Sequence, residues 1–291
     1  MSTYGNSVII MDVSIIIVNY NTLQLTKDCI ESIYKQTLRV SFEIIVVDNA
    51  STDDSKQFLE NDSRIRYIYS KENMGFGRAN NIGMMLAQGD YIFLLNSDTI
   101  LLNDAIDLFY EKVISRKEMA FYGAWLLKND RTINHSYADL PTMRMEISNL
   151  IKGYFYKAGI LSGVSYSDLY VDKDFYEVGY ITGAAMFFSR ELYNIYGGFD
   201  SSFFLYYEET DWQARLKKEG IRSYIIQGPS IIHLEGASSV GKNGKKNSKT
   251  RKIYIESKLH YFKKHSSLFK SRLFRFIYKL LSLPFSIKYR H

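Results

Sequence analysis

Between residues 13 and 95, short apolar runs alternate with amphipathic ones. "VSIIIV" (13–18), "EIIVV" (43–47), "IRYIY" (65–69) and "YIFLL" (91–95) are too short for helices and rich in β-branched and aromatic residues. They read as buried strands. Between them, 22–35, 53–60 and 76–87 carry helical spacing, the first with Leu25, Cys29, Ile30 and Ile33 on one face. This alternation predicts βαβ units and a parallel sheet covered on both faces. In such a sheet ligands bind beyond the carboxyl ends of the strands.

The polar residues gather at those ends. "NYN" (19–21) follows strand one, "DNASTDDS" (48–55) strand two, "KENMGFGRANN" (71–81) strand three and "NSD" (96–98) strand four. Each loop alone is ordinary turn and cap chemistry. Together the four loops predict a binding rim. Neither GxGxxG nor GxxxxGK[ST] occurs in them, which argues against dinucleotide and P-loop sites. "GFG" (75–77) opens a helix whose amides are placed to meet a phosphate. Asp98 ends a buried strand, where a carboxylate is costly unless paired or metal-bound.

Composition changes this picture little. The chain has 291 residues, 46% hydrophobic and 15% aromatic, ample for one large core or two fused ones. No apolar run approaches the ~18 residues of a membrane span, and no basic residue precedes Lys27, so neither a membrane helix nor a secretory signal is expected. Residues 1–11 read as a flexible leader. A single cysteine, Cys29, rules out an internal disulfide, fits a reducing cytosol and reads as a core thiol.

Charge is more informative. The net +6 combines +14 from residue 236 onward, where Glu256 is the one acid, with −8 from the rest. The tail therefore invites a partner of its own. Residues 241–252, "GKNGKKNSKTRK", read as a basic loop. In 267–285, helical spacing puts Arg272, Arg275 and Lys279 on one stripe, with Phe269, Leu273, Phe276, Ile277 and Leu280 opposite. A basic amphipathic helix of this kind suits an anionic membrane surface, or else it packs on the domain or on a second copy of the chain as a homodimer.

"VSIIIVNYN", "VVDNASTDDS", "ENMGFGRANNIG" and "LLNSDT", in this order and spacing, resemble the donor-binding half of family 2 inverting glycosyltransferases of the GT-A fold, bacterial rhamnosyltransferase-like members above all. The resemblance continues through "TGAAMFFSR" (182–190), "GGFDSSFFLYYEETDWQARLKKEG" (197–220) and "IIHLEGASS" (231–239), so it covers about residues 12–240. It implies an α/β, Rossmann-like, mostly parallel central sheet flanked by helices, with a C-terminal helical tail. It also implies a donor half (12–100), an acceptor and catalytic half (101–240), and a tail (241–291).

What the family does carries over residue by residue. Asp48 matches the acid that reads base and ribose. Asn19, Tyr20, Asn21, Asn49, Asn73, Gly75, Phe76, Asn80, Asn96 and Ser97 complete the donor rim. The motif that holds a divalent metal, Mn²⁺ or Mg²⁺, reads Asn96-Ser97-Asp98 here, without its first aspartate. Asp98 is then the carboxylate ligand, which suffices where diphosphate oxygens supply the rest. His233 occupies a position where a histidine approaches metal and diphosphate. The glutamate–aspartate pair whose second member is the general base reads Glu208-Glu209, giving Glu209 as base with Glu208 and Asp211 as alternatives.

Thr210 and Gln213 have capping-box spacing and Gly220 suits a stop, so a helix is expected from about 211 to 219, with both glutamates just before its positive end. Gly183 and Ala184 leave space for a sugar against the backbone. Trp212 either stacks on an acceptor or fills core. The expected partners are a dTDP- or UDP-linked sugar and a glycan or lipid-linked oligosaccharide acceptor. The expected location is the cytoplasm, peripheral on the inner face of the cell membrane. The absence of QxxRW favours single-sugar addition. A non-catalytic nucleotide-sugar or glycan binding module and a nucleotidyltransferase compete with this reading. Nucleic acid is not expected, because the tail's aromatics lie on a helix rather than a stacking platform.

Overall fold

The computed structural model describes residues 11–157, 173–234 and 248–287. The leader (1–10) and the first part of the basic segment (241–247) lie outside the described residues. The first part of the chain runs β1 (Val13–Asn19), α1 (Leu23–Gln36), β2 (Phe42–Asp48), α2 (Ser55–Leu59), β3 (Arg66–Tyr69), α3 (Phe76–Leu86) and β4 (Tyr91–Leu95). Then come β5 (Thr99–Leu101), α4 (Ala105–Arg116), β6 (Ala120–Leu127), β7 (Tyr137–Ala138), α5 (Met143–Lys157), β8 (Phe175–Val178), β9 (Tyr180–Ile181) and β10 (Ala185–Ser189). The chain continues through α6 (Arg190–Tyr196), α7 (Glu208–Lys217), β11 (Arg222–His233), α8 (Ser248–His265) and α9 (Leu268–Ile287). Each apolar run between residues 13 and 95 is a strand and each amphipathic run a helix, with ends displaced by two residues at most.

Among the described residues, nine strands make one sheet in the order β3-β2-β1-β4-β10-β6-β11-β5, with β8 also paired to β11. The first four strands are parallel, because helical crossovers join them. Beyond β4 the sheet is mixed. β10 runs antiparallel to β4 and β6, and β11 is parallel to β6 but antiparallel to β5. The chain moves outward from β1 to β3 and then returns to β4 on β1's other side, so the switch point lies between β1 and β4.

The register carries the second half to the same edge. Ala185 lies opposite Leu95, so the loop before β10 begins where β4 ends. His233 pairs with Thr99, which brings the end of β11 beside Asp98. Gly83 on α3 has no room for a side chain, since an added Cβ would lie 2.4 Å from Ile16 Cγ2. That contact presses α3 onto β1.

Trp212 settles as core. It is fully buried on α7, with ring centroids 4.9 Å from Phe121, 5.1 Å from Phe188 and 5.0 Å from Phe199. Stacking on an acceptor is corrected accordingly, because no face of the indole reaches solvent. Cys29 is a buried thiol, pushed up to about 12 chiefly by burial.

The C-terminal helices belong to the folded body. Phe203, Tyr207 and Ala214 form a buried cluster with Tyr261 and Phe262 of α8 and Phe274 and Tyr278 of α9. The side of α9 that packs is therefore Ser271, Phe274 and Tyr278, not the face of Phe269, Leu273, Phe276, Ile277 and Leu280.

Trp212→Ala should lower stability by about 3–5 kcal/mol, read as a reduced urea midpoint at unchanged slope. A tryptophan serving as a sugar platform would leave the midpoint nearly where it was.

Candidate functional site

Two clusters of unpartnered polar atoms stand at the carboxyl edge of the sheet, one on each side of residues 182–185. The first is built on the turn after β4. Asp98 is 8% exposed, and its Oδ1 lies 3.2 Å from His233 Nε2. Asn96 Nδ2 lies 3.3 Å from the same nitrogen. Asn96 Oδ1 and His233 Nδ1 are buried without a hydrogen-bond partner. Orphaned polar atoms in such a spot normally answer to an ion or a ligand.

The donor set fits a hard divalent cation. The 3.2 Å between Asp98 Oδ1 and His233 Nε2 is near the ~3.0 Å between adjacent ligands of an octahedral ion with bonds of about 2.1 Å. Among the described residues no group of three or more His, Cys, Asp and Glu could hold a metal. The protein thus offers a carboxylate, an imidazole and an amide oxygen, leaving other positions to water or phosphate.

The second cluster opens α7. The chain enters that helix through Tyr206 and Tyr207, both left-handed at φ 69°. Non-glycine residues rarely take this conformation, and two in succession store strain next to the acids that follow. The helix starts at Glu208, not near 211. Gln213 makes no capping box: it accepts from Ile181 N and Ser223 Oγ and donates to Ile181 O, stitching α7 to β9 and β11.

Glu208 and Glu209 therefore lie inside the first turn. Glu208 is 2% exposed and turned toward α3, where a Cβ added to Gly77 would lie 3.4 Å from its own Cβ. Glu209 faces the 182–185 loop, its Cβ 4.0 Å from where a Gly183 Cβ would stand. Each has one buried carboxylate oxygen with no partner. Burial pushes both carboxyls up, and the neighbouring Glu209 raises Glu208 further. The helix dipole opposes this with only ~0.3–2 kcal/mol, while the effective penalty for burying an ion is several. Burial wins, so the expected bias toward ionised carboxylates is corrected.

Asp211 is not available as a base. Fully buried, it accepts hydrogen bonds from Arg215, Lys264 and His265, and these hold its carboxyl below the usual range against the cost of burial. It is the anchor by which α8 grips α7.

The 182–185 loop joins the two clusters. Asn96 N donates to Ala184 O at 2.9 Å on one side, while Gly183 sits against Phe76 and Glu209 on the other. A Gly183 Cβ would come within 3.1 Å of the Phe76 ring, so glycine lets that ring pack against the loop.

Most of the polar residues expected at the rim shape it from beneath. Asp48 is fully buried, accepting from Ser51 N and from the Tyr67 hydroxyl at 2.6 Å. One bond on each oxygen holds the carboxylate in place at the end of β2. Asn19 donates to Ser51 Oγ and accepts from Thr22 and Thr26. Asn49 donates to Asn73 and accepts from Met74 N, and Asn80 donates to Phe76 O within α3.

Gly75 N donates to Asn73 Oδ1, and Phe76 N donates to Phe204 O. Those two amides are therefore taken, and the phosphate role given to "GFG" is corrected to that extent. Gly75 itself is required, since at φ 89° an added Cβ would strike Phe204 O at 2.1 Å. Tyr20 is exposed, and Asn21 binds the amides of Thr52 and Asp53. Ser97 shares a hydrogen bond with Thr22 at 3.1 Å, tying the ends of β1 and β4 across the switch point.

The pattern had left Thr22, Tyr206, Tyr207, Lys264 and His265 unassigned. Thr22, directly after "NYN", was the one with a positional signal.

A family model described as Glycosyl transferase family 2 matches residues 14–196. Rhamnosyltransferase WbbL of Escherichia coli (strain K12) is 29% identical over 201 residues, 66% of this chain and 72% of that protein. Glycosyltransferase GlyG of Streptococcus pneumoniae serotype 4 is 35% identical over 105 residues, and this match spans 35% of either chain, about a third of that relative. Among solved structures, S. aureus TarS is similar with a TM-score of 0.54 at 14% identity, over 87% of this chain and 44% of that one, a likeness of fold.

The raised Glu208 carboxyl makes a stability prediction. Its neutral form is favoured in the folded state, so its contribution is present at low pH and lost as pH rises through the raised folded value. Glu208→Gln, neutral throughout, should match the parent in urea unfolding near pH 4 and exceed it at pH 8. Equal stability at both pH values would show that burial does not oppose ionisation there.

Proposed function

We propose a single reaction for this chain, which belongs to glycosyl transferase family 2: one sugar moves from a nucleoside-diphosphate sugar to a hydroxyl of a bacterial surface glycan, with inversion at the anomeric carbon. The likeness to WbbL makes rhamnose the first sugar to test, with dTDP and UDP as the carrier nucleotides. One observation carries the reading. The Asp98–His233 couple and Glu209 flank the same short loop at the carboxyl edge of the sheet.

Glu209 takes the proton of the acceptor hydroxyl as that oxygen bonds to the anomeric carbon. The bond from this carbon to the diphosphate oxygen breaks on the opposite face, and the nucleoside diphosphate departs. A carboxyl raised by burial is a stronger base than an exposed one, closer to the working pH. Glu208, turned toward α3, keeps a second negative charge near Glu209 only when both ionise, so its neutral form is the working one. Asp98 and His233, with the Asn96 amide oxygen, are the residues that would hold Mn²⁺ or Mg²⁺. When bound, that cation offsets charge on the departing diphosphate. The sugar ring lies beside Gly183 and Ala184, whose small size lets a ligand approach the backbone closely.

A lipid-linked acceptor lies at the inner face of the cell membrane, so the enzyme works there as a cytoplasmic, peripheral protein. Among the described residues no helix is long and apolar enough to cross a membrane.

Screening nucleotide sugars for release of free nucleoside diphosphate, with and without Mn²⁺, tests the reading. Glu209→Gln should lower kcat by ~10²–10⁴-fold with donor Kd unchanged by calorimetry, and Asp98→Asn should remove the response to Mn²⁺. In the parent, activity should fall on the acid side at a pH above the ordinary glutamate range, because the ionised base is lost there. Normal transfer by Glu209→Gln alongside a dead Glu208→Gln would move the base to the other glutamate.

A further inference from the structure

α9 packs with one side and presents a second apolar side outward. Ser271, Phe274 and Tyr278 are buried against the body. On the far side Phe269 is 77% exposed and Phe276 67%, with Leu268, Leu273 and Leu280 also exposed. At about 100° per residue, Phe269, Leu273, Phe276 and Leu280 fall within about 60° of arc, directly away from the packed face. This is one continuous ridge, unlike the single scattered apolar residues normal on a surface.

Arg272, Arg275 and Lys279 run along one flank of the ridge, and Lys270 lies on the other, all exposed. α9 contains these four basic residues and no acid. Two copies of this face set against each other would therefore oppose cation to cation. A surface that takes apolar side chains and carries negative charge suits both features.

We propose that the outer face of α9 seats the protein on an anionic lipid bilayer, with Phe269, Leu273, Phe276 and Leu280 entering the headgroup boundary and the flanking cations on lipid phosphates. Helices lying in an interface bury their apolar face about 5–10 Å deep, and neighbouring cations strengthen binding to anionic lipid. The seat is joined rigidly to the catalytic region. α8 ends at His265, with two residues between it and α9, and there Lys264 and His265 hold Asp211 on the helix that carries Glu208 and Glu209. This inference goes beyond the proposed reaction and is read without sugar transfer.

Deleting α9 would strip the packing of Phe274 and Tyr278, so surface substitutions are the sound test. The full chain should co-sediment at low salt with phosphatidylcholine vesicles containing phosphatidylglycerol, and not with phosphatidylcholine alone. High salt should weaken the binding. Arg272→Ala with Arg275→Ala should weaken it about thirtyfold, from roughly fivefold per side chain. Phe269→Ser with Phe276→Ser should abolish it, and thermal melts of both double variants should stay at the parent value. Two results would overturn the proposal. One is indifference of the intact chain to anionic vesicles at low salt. The other is a parent dimer, by light scattering, that the Phe269→Ser, Phe276→Ser variant dissolves, which would make the ridge an interface between copies.

Discussion

Two glutamates side by side in the buried first turn of α7 are the most demanding feature of this molecule. An unpaired buried carboxylate is expensive in either state: ionised it lacks solvation, neutral it has given up its strongest hydrogen bonds. Here one oxygen of each has no partner. The rest of the helix is fixed accordingly. Gln213 ties it to β9 and β11, Trp212 fills the core beneath it, and Asp211 is gripped by Arg215, Lys264 and His265. Tyr206 and Tyr207 set its entry angle at the cost of left-handed backbone. A helix held at so many points keeps Glu209 against the 182–185 loop instead of letting it swing out to water.

The second cluster depends on strand register instead. Asp98 and His233 are 135 residues apart in sequence, yet one antiparallel pairing puts them in contact, because His233 lies opposite Thr99. A slip of one residue would turn His233 to the other face. β10, inserted antiparallel between β4 and β6, then delivers the small residues Gly183 and Ala184 to the gap between the clusters. The mixed half of the sheet is thus what makes the site. The parallel half supplies its floor.

Much of this was legible in the sequence. The donor strands and helices were plain because their hydrophobic periods are clean and their connections local. The rim was visible as four polar loops in a row. What each polar residue does there was not. Asp48, Asn19, Asn49 and Asn80 face inward and lace the loops, and a sequence records the residue type but not the direction of its side chain. The start of α7 was missed because Thr210 and Gln213 mimic a capping box, while tertiary bonds from Gln213 to distant strands decide otherwise. Asp211 looked like a candidate base because its partners Lys264 and His265 lie over fifty residues downstream, between the two tail segments that the pattern described.

The tail's charge acquires a physical account from the same contacts. The body carries −8 and the stretch from 236 onward +14, and part of that excess is spent inward on the body's acids. Lys258 meets Glu146, and Lys264 meets both Asp200 and Asp211. These pairs are buried or half-buried, so removing one partner would strand the other at a cost well above that of a surface ion pair. Through Lys258 and Lys264, α8 is in this sense a counter-charge to acids of the folded body. α9 differs, for its four exposed cations face no acid of their own helix and border an apolar ridge. Attraction to the body's acids is seen for Lys258 and Lys264 of α8, whereas α9 carries its cations beside an apolar ridge, so the two parts of one basic tail answer to different surfaces.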